Sequence, residues 1–273
     1  MPELPEVETI VNRLSSKLRG LEVSSFNVLF AGILRCDEKC LERLEGKKII
    51  RVRRRGKLVI FDFENGFSLL FHLKMTGQLI LSHPDEPRDR HTHFIITFRN
   101  CSQELRFRNV RKFGFVCCLQ SSEIEDFFEL GAEPLSINFS LFKGLFEGRR
   151  ARLKSLLTNQ GFIAGIGNIY ADEILFEAQL HPLLAASSLD EEELRKLWRS
   201  TRKVLRKAIQ HRGSSIRDYR DADGEQGDFQ SYHKVYGKES SLCPRCGGKI
   251  ERLRLGGRSS YYCPSCQMRK GKN

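Results

Sequence analysis

The spacing of apolar residues along the chain predicts a leading helix and then a series of short strands. Apolar side chains recur every three or four residues from Val7 to Leu18, and Gly20 follows as a stop signal, so residues 5–19 are expected to form a helix. Beyond it, apolar positions alternate with polar ones or form short runs, which is typical of strands. The predicted strands lie in 23–30, 49–52, 58–63, 67–73, 94–98, 105–107 and 113–119. Many short strands joined by close turns favour an antiparallel sandwich or barrel.

Helical spacing returns in the second half of the chain. After a short helix predicted over 120–130, Gly131 and Pro134 break the pattern and indicate a linker. Helices are then predicted over 138–147, 150–159, 168–179 and 188–211. A polar, glycine-rich stretch at 213–231 is either a mobile, dispensable loop or a lid over a ligand. The pattern therefore predicts an α+β multidomain protein.

Positive charge is concentrated in the helical half. The 273 residues carry a formal charge of +12, and residues 149–273 hold 24 Lys and Arg against 14 Asp and Glu. Such a concentration favours a polyanionic partner, nucleic acid above all, over a role in solubility alone. No apolar run is long enough to span a membrane, and the N-terminus lacks the profile of a signal peptide. We therefore expect a cytoplasmic protein without a membrane partner.

Nine cysteines fall into two groups. The last four form two Cys-x2-Cys pairs sixteen residues apart, which is the spacing of a zinc site: Cys243, Cys246, Cys263 and Cys266. Four thiolates close the coordination sphere of one structural Zn²⁺ and leave no open position for catalysis. Basic residues between the pairs are expected on a β-hairpin that can reach into a DNA groove. The other five are expected to be buried thiols in a reducing compartment: Cys36, Cys40, Cys101, Cys117 and Cys118.

The first residues combine a potential nucleophile with carboxylates. If Met1 is removed, Pro2 presents a secondary amine that can attack a sugar aldehyde carbon and form an iminium ion. An α-amino group has an intrinsic pKa of about 7.7–8.0, against about 10.4 for lysine, so more of it is unprotonated at neutral pH. Glu3 would lie beside it as a proton donor or acceptor. The competing interpretation is that Pro5 and the acids begin a helix and complement its dipole.

Two stretches of the β region carry residues suited to a DNA groove. Met75 lies where a strand meets a turn, and Arg111 and Phe113 lie near a glycine turn. An apolar wedge flanked by cations can fill the space that a displaced base leaves, although Met75 and Phe113 taken singly are more typical of a core. Lys57, after the basic run 51–55, is either held at the rim of the sheet or simply solvated.

Two further stretches remain open on the residues alone. His91-Thr92-His93 is compatible with a metal pair, a phosphate contact or polar-face residues. The glycine-punctuated turn 161–168 leads into a helix, and it favours DNA-backbone binding about as much as tight packing.

Five motifs in order give the chain a family resemblance. They are Met-Pro-Glu-Leu-Pro-Glu-Val-Glu-Thr at the start, Arg-Arg-Gly-Lys at 54–57, Arg-Lys-Phe-Gly at 111–114, Gly-Asn-Ile-Tyr-Ala-Asp-Glu at 167–173, and the four-cysteine finger with Gly257-Arg258. The chain closely resembles the bacterial formamidopyrimidine-DNA glycosylases, the 8-oxoguanine glycosylase/AP lyases of base-excision repair. Leu4 resembles these enzymes rather than their endonuclease VIII relatives, which typically have glycine there.

The resemblance implies a fold and a set of domains. It implies an N-terminal antiparallel β-sandwich with its leading helix, a helix-two-turns-helix domain and a C-terminal zinc ribbon. The expected bounds are 1–131 for the catalytic sandwich, 132–148 for a linker, 149–236 for the helical domain and 237–273 for the finger. The expected partner is double-stranded DNA containing oxidised purines or abasic sites, bound by a monomer.

The resemblance also implies roles for the matching residues. Pro2 would attack C1′, Glu3 would assist ring opening and proton transfer, and Lys57 and Arg258 are linked to the eliminations and to phosphate contacts. The gap left by the flipped nucleotide would be filled by Met75, Arg111 and Phe113. The DNA contacts would come from His91, Arg111, Arg150 and Asn168. The base pocket would comprise Glu6, Glu173, Ser214, Ser215, Ile216, Arg217 and Tyr219.

The chain departs from the family pattern at two places. Asn109 replaces the aspartate common before the wedge turn, and Arg212-Gly213 replaces a glycine pair ahead of the loop. Both bear on base preference rather than on the reaction. Two other functions remain open: a damage-binding protein without activity, which would need neither Pro2 nor Lys57, and a glycosylase that prefers oxidised pyrimidines.

Overall fold

The computed structural model describes residues 1–216 and 219–269, and the chain folds into two compact units. Unit 1 comprises Met1–Glu129 and His211–Gln230, while unit 2 comprises Leu130–Gln210 and the chain from Ser231 onwards. The segment His211–Gln230 thus returns to the N-terminal unit. The four domain bounds expected above divide the chain differently, and they stay a prediction.

Unit 1 is an antiparallel β-sandwich with a helix at its start. The leading helix α1 spans Leu4–Leu18, and two short helices follow, α2 (Lys39–Glu42) and α3 (Ile124–Phe128). The strands are β1 (Val23–Val28), β2 (Ile49–Arg55), β3 (Leu58–Phe63), β4 (Phe67–His72), β5 (Gly77–Ser82), β6 (Thr92–Phe98), β7 (Glu104–Asn109) and β8 (Phe115–Gln120). They form two four-stranded sheets with the orders β1-β6-β7-β5 and β2-β3-β4-β8.

Every second side chain along the strands points inward, and these apolar side chains build the core of unit 1. Inward phenyl rings such as Phe61, Phe71 and Phe107 are fully buried, and the apolar stripe of α1 joins the same cluster. Rings of Phe71 and Phe107 meet edge to face with centroids 5.5 Å apart, a favourable geometry. The predicted leading helix and antiparallel sandwich are confirmed.

One strand was absent from the sequence prediction. Strand β5 contains Gln78 and Ser82, which interrupt its apolar pattern although both are buried. Its register against β7 runs from Gly77 opposite Asn109 to Ser82 opposite Glu104.

Unit 2 is helical, with a β-hairpin near its end. Its elements are α4 (Phe139–Phe146), α5 (Leu153–Leu157), α6 (Asn168–Ala178), α7 (Glu191–Gln210), β9 (Glu251–Leu255) and β10 (Arg258–Tyr262). Helix α6 is buried on nearly every side and packs against α7 and β10. Helix α7 presents an apolar stripe to the unit and its cations to solvent. None of the helices described combines the length and the apolar composition needed to cross a membrane.

The cysteines of unit 1 correct one expectation. Cys40 and Cys118 form a disulfide across 78 residues of sequence, so the expectation of five thiols is wrong for these two. Cys36, Cys101 and Cys117 are free thiols, of which only Cys117 is fully buried. Spacing could not reveal the bond, because the fold brings the two residues together from distant parts of the chain.

Candidate active site and DNA-contact residues

The start of α1 holds Pro2 and two carboxylates in a buried setting. Met1 is half exposed, Pro2 is buried, and Glu3 and Glu6 are only 3% and 1% exposed. Glu3 is the N-cap residue, and its N–H donates to Glu6 Oε2 at 2.7 Å in a reciprocal capping box. Pro5 occupies the first turn, where its missing N–H has no helical partner to lose. The helix-start interpretation is therefore confirmed, and it is compatible with a nucleophile because it places a carboxylate directly beside Pro2.

Glu6 also holds the loop 213–230. Its Oε1 accepts the N–H of Ser214 at 2.7 Å, and the hydroxyl of Tyr219 donates to its backbone oxygen at 3.2 Å. Gly213 has φ +77°, and a Cβ there would lie 2.6 Å from Glu6 Oε1, so only glycine permits this approach. The base of the loop is consequently fixed to the helix that follows Pro2 directly.

Inside the loop, short hydrogen bonds set the backbone. Ser215 Oγ donates to the Tyr219 carbonyl at 3.0 Å and accepts the N–H of Gly227 at 2.9 Å. Ile216 is 47% exposed at the edge of this network. Burial, followed by the charge of Glu6, raises the pKa of Tyr219 well above its ordinary value, so its hydroxyl keeps the proton that it donates. Arg217, also predicted for the base pocket, lies outside the described residues.

Ion pairs tie the far side of the loop to α1. Asp223 pairs with Lys17 and with Arg13, whose Nε lies 3.6 Å from Asp223 Oδ2 and 3.8 Å from Asp221 Oδ2. Asp221 is 1% exposed, and its Oδ1 accepts the N–H groups of Asp223 and Glu225. The described parts of the loop, 213–216 and 219–230, are therefore attached to α1 on both sides, which argues against a dispensable segment.

Lys57 lies in the tight turn between β2 and β3. It is 5% exposed, which excludes the simple solvated lysine. Arg54 donates to Glu8 Oε2 at 2.6 Å and to the Gly56 carbonyl at 3.0 Å, so the turn is fastened to α1. Burial first, then the positive charges of Lys74 and Lys57, lowers the pKa of His72 to about 3. The neutral imidazole accepts the N–H of Lys74 at 3.0 Å.

The three predicted wedge residues meet at one exposed corner of unit 1. Met75 and Phe113 are 41% and 53% exposed, although large apolar side chains are normally buried. Arg111 joins them, because its Nη1 lies 3.0 Å from Met75 Sδ and its guanidinium lies 4.8 Å from the centre of the Phe113 ring. A cation flanked by two exposed apolar groups is suited to entering a base stack.

Asn109 is linked to these residues through hydrogen bonds of Thr76. Its Oδ1 accepts the Thr76 hydroxyl at 3.0 Å, and Thr76 Oγ1 accepts the N–H of Arg111 at 3.0 Å. Asn109 is fully buried, and within the described residues its Nδ2 has no hydrogen-bond partner. An aspartate would place a charged oxygen at that point, so the departure from the family pattern changes the charge beneath the wedge.

The alternating histidines have separate surroundings. His93 is buried and its Nε2 lies 3.1 Å from the backbone oxygen of Asn109, so it is a core residue that braces the wedge turn. His91 is partly exposed, and its N–H donates to Asp89 Oδ1 at 3.0 Å. Among the described residues, the one group of three or more potential metal ligands is the four-cysteine cluster, and it includes neither histidine.

In unit 2, a buried ion pair holds the β-hairpin. Lys154 Nζ lies 2.7 Å from Asp172 Oδ1 and donates to the Ser259 carbonyl at 3.0 Å. Asp172 also accepts the Ser260 hydroxyl at 2.8 Å and the N–H of Tyr261 at 3.1 Å. The side-chain amide of Asn168 donates to the same Ser259 carbonyl at 3.0 Å. Strand β10 is thereby fixed to α5 and α6.

An exposed cation, Arg258, lies beside this anchor. Arg258 begins β10 after the turn Gly256-Gly257, and it lines a cleft together with Lys154, Thr158 and Asn159. Arg150 is also exposed. These positions suit contacts with phosphate oxygens, which arginine binds through paired N–H groups.

Glu173 has a structural role in unit 2. Its carboxylate accepts three consecutive backbone N–H groups, from Lys234, Val235 and Tyr236, at 2.9–3.0 Å. Burial raises the pKa of this carboxyl group, and the three hydrogen bonds oppose that rise. Its partners here are therefore backbone groups of its own unit, and its place in the base pocket stays a prediction.

The four C-terminal cysteines form a closed cluster. Their sulfur atoms all lie within 4.8 Å of one another, the arrangement that tetrahedral zinc requires. The N–H of Cys243 donates to the Gly248 carbonyl at 2.6 Å, and Phe176 and Val235 pack against the ribbon. The donor set fits one structural Zn²⁺.

Sequence reasoning missed three residues of these sites. Lys154 and Asp172 gave no signal as a pair, because they belong to different helices. Thr76 follows Met75 directly, but its link from Asn109 to Arg111 depends on the pairing of β5 with β7.

Three protein-family models match successive parts of the chain. Residues 1–116 match the formamidopyrimidine-DNA glycosylase N-terminal domain, 130–220 match the H2TH domain of the same enzymes, and 240–269 match the zinc finger found in FPG and IleRS. The chain is 42% identical to the formamidopyrimidine-DNA glycosylase of Pelotomaculum thermopropionicum, over 98% of this chain and 99% of that protein. It is 43% identical to that of Carboxydothermus hydrogenoformans, over 98% and 100%.

Solved crystal structures of other proteins have a similar fold. The crystal structure of a Lactococcus lactis FPG mutant in complex with Fapy-dG-containing DNA has a TM-score of 0.91 and 34% identity, covering 98% of this chain and 100% of that one. A complex of Lactococcus lactis Fpg with DNA containing an abasic site has a TM-score of 0.90 with the same coverage and identity.

These matches define the class first: a DNA-repair glycosylase with a zinc finger. More particularly, the chain belongs to the formamidopyrimidine-DNA glycosylase family, the DNA glycosylases and AP lyases of base-excision repair.

Proposed function

We propose that this enzyme excises oxidised purines, 8-oxoguanine and formamidopyrimidines, from double-stranded DNA and then cleaves the strand at the abasic site. The observation that carries the proposal is the buried start of α1, where Pro2 and Glu3 are held by Glu6 against the loop 213–230. The Lactococcus lactis relatives in complex with Fapy-dG and abasic-site DNA support the substrate class.

The first stage begins once Met1 has been removed. The secondary amine of Pro2 attacks C1′ of the flipped nucleotide, the bond between C1′ and the base breaks, and the base leaves with a proton. Glu3 then protonates O4′ as the sugar ring opens, and an iminium ion remains between the Pro2 nitrogen and C1′. Because Glu3 is nearly excluded from water, its proton is delivered at a fixed position.

The second stage cleaves the strand on both sides. The iminium ion acidifies the C2′–H bond, and loss of that proton expels the 3′ phosphate by β-elimination. A second elimination expels the 5′ phosphate, and hydrolysis of the imine regenerates Pro2. Each elimination releases a phosphate anion, so the cations Lys57 and Arg258 are suited to stabilise the leaving groups.

Residues of both units contact the DNA. Met75, Arg111 and Phe113 fill the space of the extruded nucleotide, and Arg111 contacts the orphaned base. His91, Arg150 and Asn168 hold backbone phosphates. The base pocket is formed by Glu6 and the loop residues Ser214, Ser215, Ile216 and Tyr219. We propose that the enzyme acts as a monomer, since one chain carries every group named here.

A product analysis tests this function. Duplexes that differ only in the lesion would carry 8-oxoguanine opposite cytosine, thymine glycol opposite adenine, or an abasic site. We expect fastest excision of 8-oxoguanine, with phosphate left on both sides of a one-nucleotide gap. Lys57→Ala should slow strand cleavage, while Lys39→Ala, at an exposed lysine of α2, serves as the matched control.

Two outcomes would overturn the proposal. Faster excision of thymine glycol would identify an enzyme for oxidised pyrimidines. Tight binding of all three duplexes without any cleavage would identify a damage-binding protein.

A further inference from the structure

The turn that carries Met75 is closed by its own backbone. The N–H of Gly77 donates to the Leu73 carbonyl at 2.9 Å, and a Cβ at Gly77 would lie 2.5 Å from that oxygen, so the close approach requires glycine. Lys74 adopts φ +48°, and its N–H donates to His72 Nδ1 at 3.0 Å. Met75 is therefore held in a compact turn, although its side chain is exposed.

The turn that carries Arg111 and Phe113 is packed on Asn109. The N–H of Lys112 donates to the Asn109 carbonyl at 3.2 Å, and a Cβ at Gly114 would lie 2.4 Å from Asn109 Nδ2. Asn109 is fully buried at the end of β7, so the turn rests on a residue that is itself fixed in the sheet. This second turn is thus also defined by local contacts.

One hydroxyl group joins the two turns. Thr76 follows Met75 directly and is only 8% exposed. Its hydroxyl donates to Asn109 Oδ1 at 3.0 Å and accepts the N–H of Arg111 at 3.0 Å. The backbone pairing of β5 with β7 begins one residue further on, at Gly77 opposite Asn109. The hydroxyl therefore extends the pairing of these strands beyond the sheet, up to the residues of the wedge.

We infer that Thr76 is a positioning residue, which holds Met75 and Arg111 at the separation that lets both enter the DNA together. The inference rests on the proposed function, since it assumes that these side chains replace the extruded nucleotide. A wedge that is already formed spares the entropy cost of ordering two turns on binding. Because Thr76 fixes the backbone of Arg111, it contributes through that residue to recognition of the orphaned base.

The alternative interpretation is a merely structural threonine. In that case the pairing of β5 with β7 places both turns by itself, and loss of the hydroxyl lowers stability alone. A loss of stability affects all DNA substrates to the same extent. A positioning role instead changes how the enzyme distinguishes one duplex from another, so substrate discrimination separates the two interpretations.

A small set of variants isolates the hydroxyl group. Thr76→Val keeps the shape of threonine but leaves the Arg111 N–H and Asn109 Oδ1 without this partner. Thr76→Ala removes the hydroxyl without placing a methyl group against them, and it replaces the valine variant if that one does not fold. Thr76→Ser retains the hydroxyl. Thr201→Val is the matched control, because Thr201 is also buried and its hydroxyl donates to the Leu197 carbonyl at 2.8 Å in α7.

The first assay measures single-turnover excision by the full zinc-loaded chain without Met1. Its substrates carry 8-oxoguanine opposite cytosine or opposite a tetrahydrofuran residue, which has no base. On the cytosine duplex we expect Thr76→Val to be about 10-fold slower than the wild type, which corresponds to one lost hydrogen bond. Opposite tetrahydrofuran the loss should stay below about 2-fold, because an unpaired base costs little to extrude. Thr76→Ser and Thr201→Val should match the wild type on both duplexes.

A binding assay tests the same inference without catalysis. Fluorescence anisotropy compares duplexes in which a tetrahydrofuran residue replaces the lesion opposite cytosine or opposite adenine. The guanidinium of Arg111 can donate to the adjacent acceptors O2 and N3 of cytosine, whereas adenine offers one acceptor beside a donor. The wild type should therefore prefer cytosine, and Thr76→Val should bring the ratio of the two affinities closer to one.

The outcomes distinguish failure of this inference from failure of the proposed function. If the wild type excises 8-oxoguanine and Thr76→Val has the same rate and the same affinity ratio, the inference is wrong and the function stands. Equal slowing on both excision duplexes with an unchanged affinity ratio would identify a merely structural threonine, and equal affinities in the wild type would also overturn the inference. Absence of excision by the wild type would overturn the proposed function, while the affinity ratios would still decide the role of Thr76.

Discussion

Replacement of Lys154 by methionine should expose the strength of the buried ion pair in unit 2. Lys154 Nζ lies 2.7 Å from Asp172 Oδ1, and the two side chains are only 3% and 1% exposed. Methionine keeps most of the volume of lysine but leaves the carboxylate without its cation. Removal of one partner from such a pair costs about 3–5 kcal/mol. We expect a loss of that size in the free energy of unfolding at pH 8, together with weaker DNA binding as the hairpin of Arg258 loosens.

The loss should depend on pH. Burial raises the pKa of Asp172 to about 6 although Lys154 lowers it, so the pKa in the variant lies higher still. Between the unfolded and folded pKa values the folded state holds a proton that the unfolded state has released, so stability falls by about 1.4 kcal/mol per unit as the pH rises. This window extends further upward in the variant. The loss in free energy of unfolding relative to the wild type should therefore be larger at pH 8 than at pH 6, by about 1–2 kcal/mol.

Urea unfolding followed by tryptophan fluorescence measures this directly. Trp198 is the single tryptophan, and it lies in α7 of unit 2 with its indole N–H donating to the Ile137 carbonyl at 3.0 Å. The double variant Lys154→Met with Asp172→Asn removes the stranded charge and should recover most of the loss. Equal deficits at both pH values, or a double variant no more stable than the single one, would refute the electrostatic explanation.

Three further changes have defined outcomes. Cys246→Ser should release the zinc and sharply reduce DNA affinity, because metal binding provides the folding energy of such ribbons; normal affinity by fluorescence anisotropy in zinc-free protein would contradict this. Glu6→Gln should leave the N–H of Glu3 or Ser214 unpaired at a cost of about 1–3 kcal/mol, and lower excision of 8-oxoguanine more than cleavage at a preformed abasic site; equal losses on both substrates would argue against a role through the loop. Arg212→Gly should raise the melting temperature slightly, because Arg212 adopts φ +57° at a cost of about 1–2 kcal/mol that exceeds the flexibility penalty of glycine; a lower melting temperature would show that its side-chain contacts dominate.

Local patterns predicted most of the fold. The apolar stripe from Val7 to Leu18 and the alternation in the strands lie within single elements, so their periods can be read from neighbouring residues. Strand β5 was not predicted, because its buried residues Gln78 and Ser82 are polar and interrupt the alternation of apolar and polar positions. The zinc cluster was predictable because both pairs of ligands have fixed local spacing.

Contacts between distant segments could not be predicted from the residues alone. The Cys40–Cys118 disulfide and the pairing of Lys154 with Asp172 arise only when the chain has folded. The three N–H groups that Glu173 accepts come from about sixty residues further on. Met75, Arg111 and Phe113 do lie together, as the family motifs implied, because such motifs record non-local relations; their role at the DNA stays a prediction.

Borohydride trapping on a duplex containing 8-oxoguanine opposite cytosine tests most directly whether the N-terminal proline is the nucleophile. Reduction converts the imine into a stable cross-link, and mass spectrometry of the cross-linked peptide identifies the attached residue. We expect the cross-link at Pro2 in protein that has lost Met1, and none in protein whose terminus is blocked by a retained Met1, which should still bind DNA. A cross-link at a lysine such as Lys57, or undiminished excision by the blocked protein, would contradict the assignment of Pro2.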